Sequence, residues 1–271
     1  MSKKTKKEEP LKSGIRGRPI RLNKQILEVK PGKNYAEVVF FGDLHYGARE
    51  CDLERAKRML DYCSSKRIYV FLMGDLIEAG LKTSVGASVY RQKLNPQKQM
   101  EDVIDLLEPL AKKGLILGAL EGNHELRVEK ETGIAVMKVI CRLLGIPYLR
   151  SACWSWFKVG KQNYTVYTMH GSSSARYVYT KMKVLIDVSH SFDADLLAMA
   201  HVHSLADTSF LVQKVNLRKG IVQERKKFLV LTGSYLKYDT SYAQERGYPI
   251  VKLGSPKVKF FANKHDIHIS Y

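Results

Sequence analysis

The stretch VVFFGDLHYG, residues 38–47, runs four apolar residues into Gly42, Asp43, Leu44 and His45. An unbroken apolar run reads as a strand buried on both faces, and Gly-Asp is ordinary turn chemistry. Taken once, such an ending means only that a strand stops. The same event recurs four times. IYVFLMGDLIEAG (68–80) ends its run in Gly74-Asp75, and LILGALEGNHELR (115–127) ends in Gly122-Asn123-His124-Glu125. YTVYTMHGSSS (164–174) stops at His170, and DLLAMAHVHSLAD (195–207) at His201-Val202-His203. Five apolar segments thus deliver residues of metal-binding type at what would be their carboxyl ends, the edge of an α/β sheet where ligands collect.

Helical periodicity fills the intervals. DLERAKRMLDYCSSK (52–66) spaces Leu53, Ala56, Leu60 and Cys63 on one face, and QKQMEDVIDLLEPLAKKG (97–114) closes on Gly114. ETGIAVMKVICRLLG (131–145) predicts a third helix closed by Gly145, and SARYVYTKMKVLIDVSH (174–190) a fourth. The chain then turns strand-rich at 208–215 and 226–235. Alternation followed by strands predicts an α/β fold of two packed sheets flanked by helices.

The 271 residues are 45% hydrophobic, enough for one catalytic domain with a substantial core. The net charge is +18. Residues 1–33 hold eleven lysines and arginines against three acidic residues, so ten of the surplus positive charges lie beyond residue 33. That surplus favours a polyanionic partner such as nucleic acid. Residues 1–33, rich in Lys, Arg, Gly and Pro, read as an extended basic arm, with the catalytic domain at 34–271. Within the arm, Arg16-Gly17-Arg18-Pro19 resembles the core of an AT-hook, a minor-groove DNA-binding element. No run of 18 apolar residues and no apolar signal core appear, so the expectation is a cytoplasmic protein without membrane association. Four cysteines without a CxxC pair read as reduced.

Asp43 and His45 share one face of an extended or turning segment, as do His201 and His203. Asp75 has two oxygens and can bridge two ions. Three oxygen donors (Asp43, Asp75, Asn123) and four imidazoles (His45, His170, His201, His203) exceed one tetrahedral site and suit two divalent cations. A mixed O/N set without thiolate leans to manganese, with iron or zinc as alternatives. The remaining histidines His190, His265 and His268 read as structural.

The ordered blocks D-x-H, G-D-x-x-[DE], G-N-H-E, H and H-x-H, spread over residues 38–207, resemble the calcineurin-like metallophosphoesterase superfamily, whose fold is a two-sheet β-sandwich flanked by helices. The resemblance implies a dinuclear metal centre, with Asp43, His45, Asp75 and His203 on one ion. It implies Asp75, Asn123, His170 and His201 on the other. Asp75 is then the bridge. It also implies that His124 contacts the phosphoryl group and protonates the leaving oxygen, supported by Glu125. The two cations would activate a water as the nucleophile and neutralise phosphoryl charge. Two departures stand out: Glu78 occupies the last position of G-D-x-x-D, and Ala200 replaces glycine before His201. Glu78 is left out of the ligand set.

Three substrate readings follow. The first is a phosphodiesterase or nuclease acting on DNA or RNA, favoured by the charge. The second is a phosphomonoesterase of the protein serine/threonine phosphatase type, or a nucleotide-directed enzyme. GNHELR suggests it, but GDLIEAG lacks the arginine-bearing ending of that subfamily. The third is a nucleic-acid-binding accessory protein with a non-catalytic metal site. Candidate substrate contacts are Arg127 and, in SVYRQKLNPQK (88–98), Arg91 and Lys93. Tyr235, Tyr238, Tyr242 and Tyr248 suit either base stacking or packing against the sheet.

Overall fold

The apolar runs become central strands because both of their faces are covered. The computed structural model describes residues 20–271 except 83, 85–87 and 240, and leaves the side chains of Ser88, Arg91 and Tyr242 undescribed. In chain order the first half holds β1 (Asn23–Leu27), β2 (Tyr35–Phe41), α1 (Leu53–Lys66), β3 (Tyr69–Leu72), α2 (Ser88–Arg91), α3 (Pro96–Lys112), β4 (Ile116–Ala119), α4 (Asn123–Thr132) and α5 (Val136–Leu144). The second half holds β5 (Ala152–Val159), β6 (Gln162–Met169), α6 (Val178–Ser189), β7 (Leu196–Met199), β8 (Leu205–Asn216), β9 (Ile221–Thr232), α7 (Tyr242–Glu245), β10 (Lys257–Phe261) and β11 (Ile267–Ser270).

The strands form two sheets, ordered β1-β5-β6-β7-β9-β8 and β11-β10-β2-β3-β4. Alternate residues of β2 explain the sandwich. Val38 and Phe40 point between the sheets and meet Phe71, Phe157, Leu196 and Val230. Val39 and Phe41 point outward and pack with Leu60, Val103 and Ile140 of α1, α3 and α5. The outer face of the other sheet is covered by Met182 and Leu185 of α6. Full burial of a side chain of this size is worth roughly 1.5–3 kcal/mol, so a central strand with two buried faces draws on two cores. This is the two-sheet α/β architecture anticipated above.

β2, β3 and β4 run parallel, as do β6, β7 and β9. Parallel strands bring their carboxyl ends to one edge, and here the edges of both sheets coincide. The His201 amide, after β7, donates to Asp43 Oδ2, after β2, at 2.9 Å, and His170 Nδ1, after β6, donates to the Met73 carbonyl, after β3, at 2.9 Å.

Two expectations change. Residues 23–27 of the anticipated arm are not free of the domain: β1 pairs in parallel with β5, and Leu27 is buried. The strand escapes sequence reading because its polarity is inverted. Asn23 and Gln25 turn inward and donate to the Leu117 carbonyl, while Ile26 is 76% exposed. Residues 1–19, including Arg16-Gly17-Arg18-Pro19, lie outside the described residues. The helix expected over 131–145 is two helices, because Gly133 adopts φ 74 and closes α4, with α5 starting at Val136. Among the described residues no helix is long and apolar enough to cross a membrane.

Candidate metal centre

Each ligand-type residue sits where a strand ends and the backbone turns sharply. Eight described non-glycine residues have positive φ, and five are Asp43 (φ 47), His45 (φ 50), Asp75 (φ 49), His201 (φ 67) and His203 (φ 49). The left-handed conformation costs such residues about 1–3 kcal/mol each and persists only where the surroundings enforce it. Small neighbours make the turns feasible. Gly74 has φ 89, and a Cβ there would stand 2.6 Å from the Gly122 nitrogen. A Cβ on Gly122 would collide with Oδ1 of Asp75.

Asp43, His45 and His203 offer ligand atoms within 4.8 Å of one another, and so do Asp75, His170 and His201. Asp75 links the two groups: its Oδ2 lies 3.2 Å from His170 Nε2 and 3.8 Å from His45 Nε2. Asn123 Oδ1 completes the second group, 3.1 Å from His170 Nε2 and 2.7 Å from His201 Nδ1. The seven residues anticipated as ligands therefore come together, with Asp75 between two candidate cation positions.

The donor set fits divalent cations on its own terms. Asp43 Oδ2 accepts the His201 amide at 2.9 Å, but Oδ1, wholly buried, has no hydrogen-bond partner. A buried carboxylate oxygen without a donor is costly unless a cation takes it. His45 Nε2 and His203 Nε2 face each other at 3.1 Å, two nitrogens aimed at a common point. The far sides of the rings are tied down, as ligand imidazoles require. His170 Nδ1 donates to the Met73 carbonyl at 2.9 Å, and His45 Nδ1 to Glu78 Oε2 at 3.0 Å.

Electrostatics follow the same layout. Burial pushes the His45 imidazole down, but the Glu78 hydrogen bond and the Asp75 charge outweigh it and raise it to about 9. His170 is likewise raised to about 10, Asp75 overcoming burial. Burial works against the Asp75 carboxyl, yet the His170 and His124 charges hold it well below the usual carboxylate range. The carboxylates thus set up a negative field that favours positive charge between them.

His124 lies outside the two groups that Asp75 links, although His124, His45 and Glu78 also offer ligand atoms within 4.8 Å of one another. Its amide donates to Asp75 Oδ1 at 2.9 Å, and its Nδ1 donates to the Glu78 carbonyl at 2.6 Å, leaving Nε2 free to face outward. Arg127 Nη2 reaches that Nε2 at 3.4 Å, and Nη1 donates to Ser84 Oγ at 3.1 Å. Burial, against the pull of Asp75, pushes His124 down to about 4. Glu125 is buried and accepts the amides of Asp75, Leu76, Ile77 and Gly122 at 2.7–3.2 Å. It locks the Asp75 turn to the start of α4. Burial and the Asp75 charge raise it, against the Gly122 and Ile77 amides and the His170 charge.

Arg127 is therefore at the centre. Lys93 is exposed, its segment pinned by its amide to the Gly47 carbonyl, and the Arg91 side chain is outside the described residues. Tyr235 is a core residue, its ring 4.8 Å from Phe41 and its hydroxyl 3.0 Å from Ser255 Oγ. Two roles escaped the sequence reading. Glu78 orients His45, and buried Gln99 accepts the Ala79 amide at 2.8 Å, holding the loop after Asp75. Glu78 was legible as the odd member of G-D-x-x-D. Gln99 had no signal, since it lies inside an ordinary helical stripe.

A family model described as calcineurin-like phosphoesterase matches residues 36–205, more than half of the chain. Among solved structures, a conserved uncharacterized protein of Streptococcus pneumoniae TIGR4, described as a predicted phosphoesterase, is 13% identical with a TM-score of 0.40, covering 87% of this chain and 88% of its own. Vps29 of Entamoeba histolytica complexed with zinc is 15% identical with a TM-score of 0.39, covering 86% and 97%. A metallophosphoesterase of Sphaerobacter thermophilus is 12% identical with a TM-score of 0.40, covering 87% of each chain. These likenesses are too distant to bear on activity. No curated protein matches the chain.

Proposed function

The chain belongs to the calcineurin-like phosphoesterases, metal-dependent hydrolases of phosphoester bonds, and from that premise we propose that it is a phosphodiesterase acting on nucleic acid. The observation that carries the reading is charge: of a surplus of +18, ten charges lie beyond residue 33, on the part of the chain that holds the metal centre. A field of that sign concentrates polyanions at the surface.

Asp43, His45, Asp75, Asn123, His170, His201 and His203 would hold two divalent cations, manganese for preference, which when bound would supply Lewis-acid activation of water and neutralise phosphoryl charge. The protein's own residues do the rest. Arg127 offers one guanidinium, matched to the single negative charge of a diester. A phosphoryl group drawn to it displaces His124 Nε2 as its partner, and its charge favours the protonated ring. With Nδ1 anchored on the Glu78 carbonyl, the proton to give is the one on Nε2, the atom that faces the leaving oxygen. Glu125 and Glu78 keep Asp75 and His45 aimed, so no reorganisation is needed as charge develops.

The test is to incubate the purified protein with manganese and separate labelled DNA, RNA, cyclic nucleotides, a chromogenic diester and a chromogenic monoester. Cleavage of a polymer together with the chromogenic diester supports the reading. Turnover confined to the monoester or to free nucleotides overturns it.

A further inference from the structure

The outer face of the six-stranded sheet is covered by α6 across β7 and β9, but beside that helix lies a groove of about 430 Å³. Ile20, Arg21, Arg150, Trp154, Tyr167 and Phe192 line it. The aromatic rings form one cluster but not one plane. Tyr167 stacks on Phe192 with centroids 4.0 Å apart and planes at 16°, and Trp154 lies 5.2 Å from Tyr167 with its plane tilted by 59°, so its ring offers a separate face. All three are only partly buried.

The groove borders the segments that carry two of the ligand-type residues. The Ser151 carbonyl accepts the His170 amide at 2.9 Å, and the Arg150 carbonyl accepts the Glu121 amide at 2.9 Å. Its upper rim is therefore hydrogen-bonded to the two segments that present His170 and Asn123. Arg150 itself is exposed and held at φ 58. Because β1 pairs in parallel with β5, Asn23 opposite Ser155, Arg21 enters at this same edge. Ile20, the first described residue, also lines the groove, and the sequence before it carries seven lysines and arginines against two glutamates.

Resting on the nucleic-acid reading, we infer that this groove seats single-stranded nucleic acid, with bases on Trp154 and Tyr167 and phosphates on Arg21 and Arg150, and leads the strand to the metal centre. Aromatic faces stack on any base, and arginines track the backbone, the combination that single-strand sites use. Duplex bases have their faces already stacked on one another, so the aromatic cluster has nothing to offer them. The volume lies within the range of small-molecule sites, roughly 300–1,000 Å³, which suits bases taken individually.

Trp154 and Trp156 are the chain's two tryptophans, so Trp156→Phe in the full-length, metal-loaded protein leaves Trp154 as sole reporter. Titration with a phosphorothioate oligothymidylate should quench its emission saturably, and a duplex of equal length should not. Arg150→Ala and Trp154→Leu should each weaken oligothymidylate binding about tenfold, within the stacking range of about 1–3 kcal/mol per base. If Trp154→Leu fails to fold, Arg150→Ala decides, since that side chain is exposed. Unchanged affinity in Arg150→Ala, or equal quenching by duplex, overturns the inference. Quenching without cleavage of any labelled polymer leaves the groove standing and removes the hydrolytic reading. Cleavage with unchanged KM in both variants does the reverse.

Discussion

β7 carries a carboxylate at its start and imidazoles at its end, and the two ends of this one strand do opposite things. At the start, Asp195 Oδ2 accepts the Thr165 amide at 2.7 Å and its hydroxyl at 2.8 Å, while Oδ1 meets His265 Nε2 at 3.1 Å. His265 in turn stacks on Tyr164 at 4.6 Å, and Arg225 Nη1 stands 3.6 Å from the same carboxylate. The Asp195 carboxylate is supplied with donors, and the cluster is a clasp. At the other end, His201 and His203 face Asp43, whose Oδ1 has none, on a backbone forced into the left-handed region. Aspartate and histidine meet at both ends. What separates a metal centre from a clasp is that its lone pairs converge on a point instead of on N–H groups.

The largest break in that contrast is Asp75→Asn, which weakens the bridge to both cations. It should abolish phosphoester hydrolysis and lower bound metal, read by elemental analysis, whereas Asn123→Ala weakens one position. Gly122→Ala should approach the same loss from the backbone side, because its Cβ needs the space of Asp75 Oδ1. A Gly122→Ala protein with full metal content would show that the turn yields more readily than the geometry implies.

His124→Ala separates holding metal from using it. Both metals should remain while the rate falls about 10²–10⁴-fold, the usual worth of a general acid. The loss should be large on a nucleic-acid or alkyl ester and smaller on a nitrophenyl ester, whose leaving oxygen barely needs a proton. Equal losses on the two esters, or metal depletion, would count against the assignment.

Asp195→Asn probes the clasp. It should cost about 1–3 kcal/mol of stability, the price of a disturbed buried hydrogen-bonded carboxylate, with metal content untouched. Burial alone would raise the Asp195 carboxyl, but His265 and the Thr165 donors hold it below its usual value. A depressed carboxyl stabilises above its unfolded pKa and ceases to as pH falls through its folded one. Denaturant melts of variant and parent should therefore differ at neutral pH, begin to approach one another only as pH drops below about 4, and converge below the depressed folded pKa.

The smallest effect concerns residues 1–19. Removing them, rather than 1–33, spares β1. Log affinity for nucleic acid should then fall less steeply with log salt, by about 0.9 per lost phosphate contact on duplex and about 0.7 on single strands. Identical slopes with and without the segment would make it a solvated tail.

Much of the centre was legible before any coordinates because ligand chemistry was written at strand ends, where an apolar run meets Asp, Asn or His. The partners behind the ligands were less so. Gln99 and the Met73 carbonyl act through positions that pattern reading assigns to a helix face and a strand. β1 was missed because Asn23 and Gln25 satisfy a neighbouring carbonyl from the inside of the sandwich, reversing the polarity by which a strand is recognised. The break at Gly133 was missed because the apolar stripe of α5 outweighed a single glycine.

The order of the five blocks, the two-sheet architecture, and the donor types were determined by sequence alone, since burial periodicity and ligand identity are local properties of the chain. Only the tertiary structure decided which donors share a cation position, that Arg127 and not Lys93 stands at His124, and that Tyr235 belongs to the core. It also decided that Ile20 and Arg21 line the groove beside Arg150. Those are distances between residues up to 158 positions apart, such as His45 and His203, and they exist only once parallel strands carry their ends to a common edge.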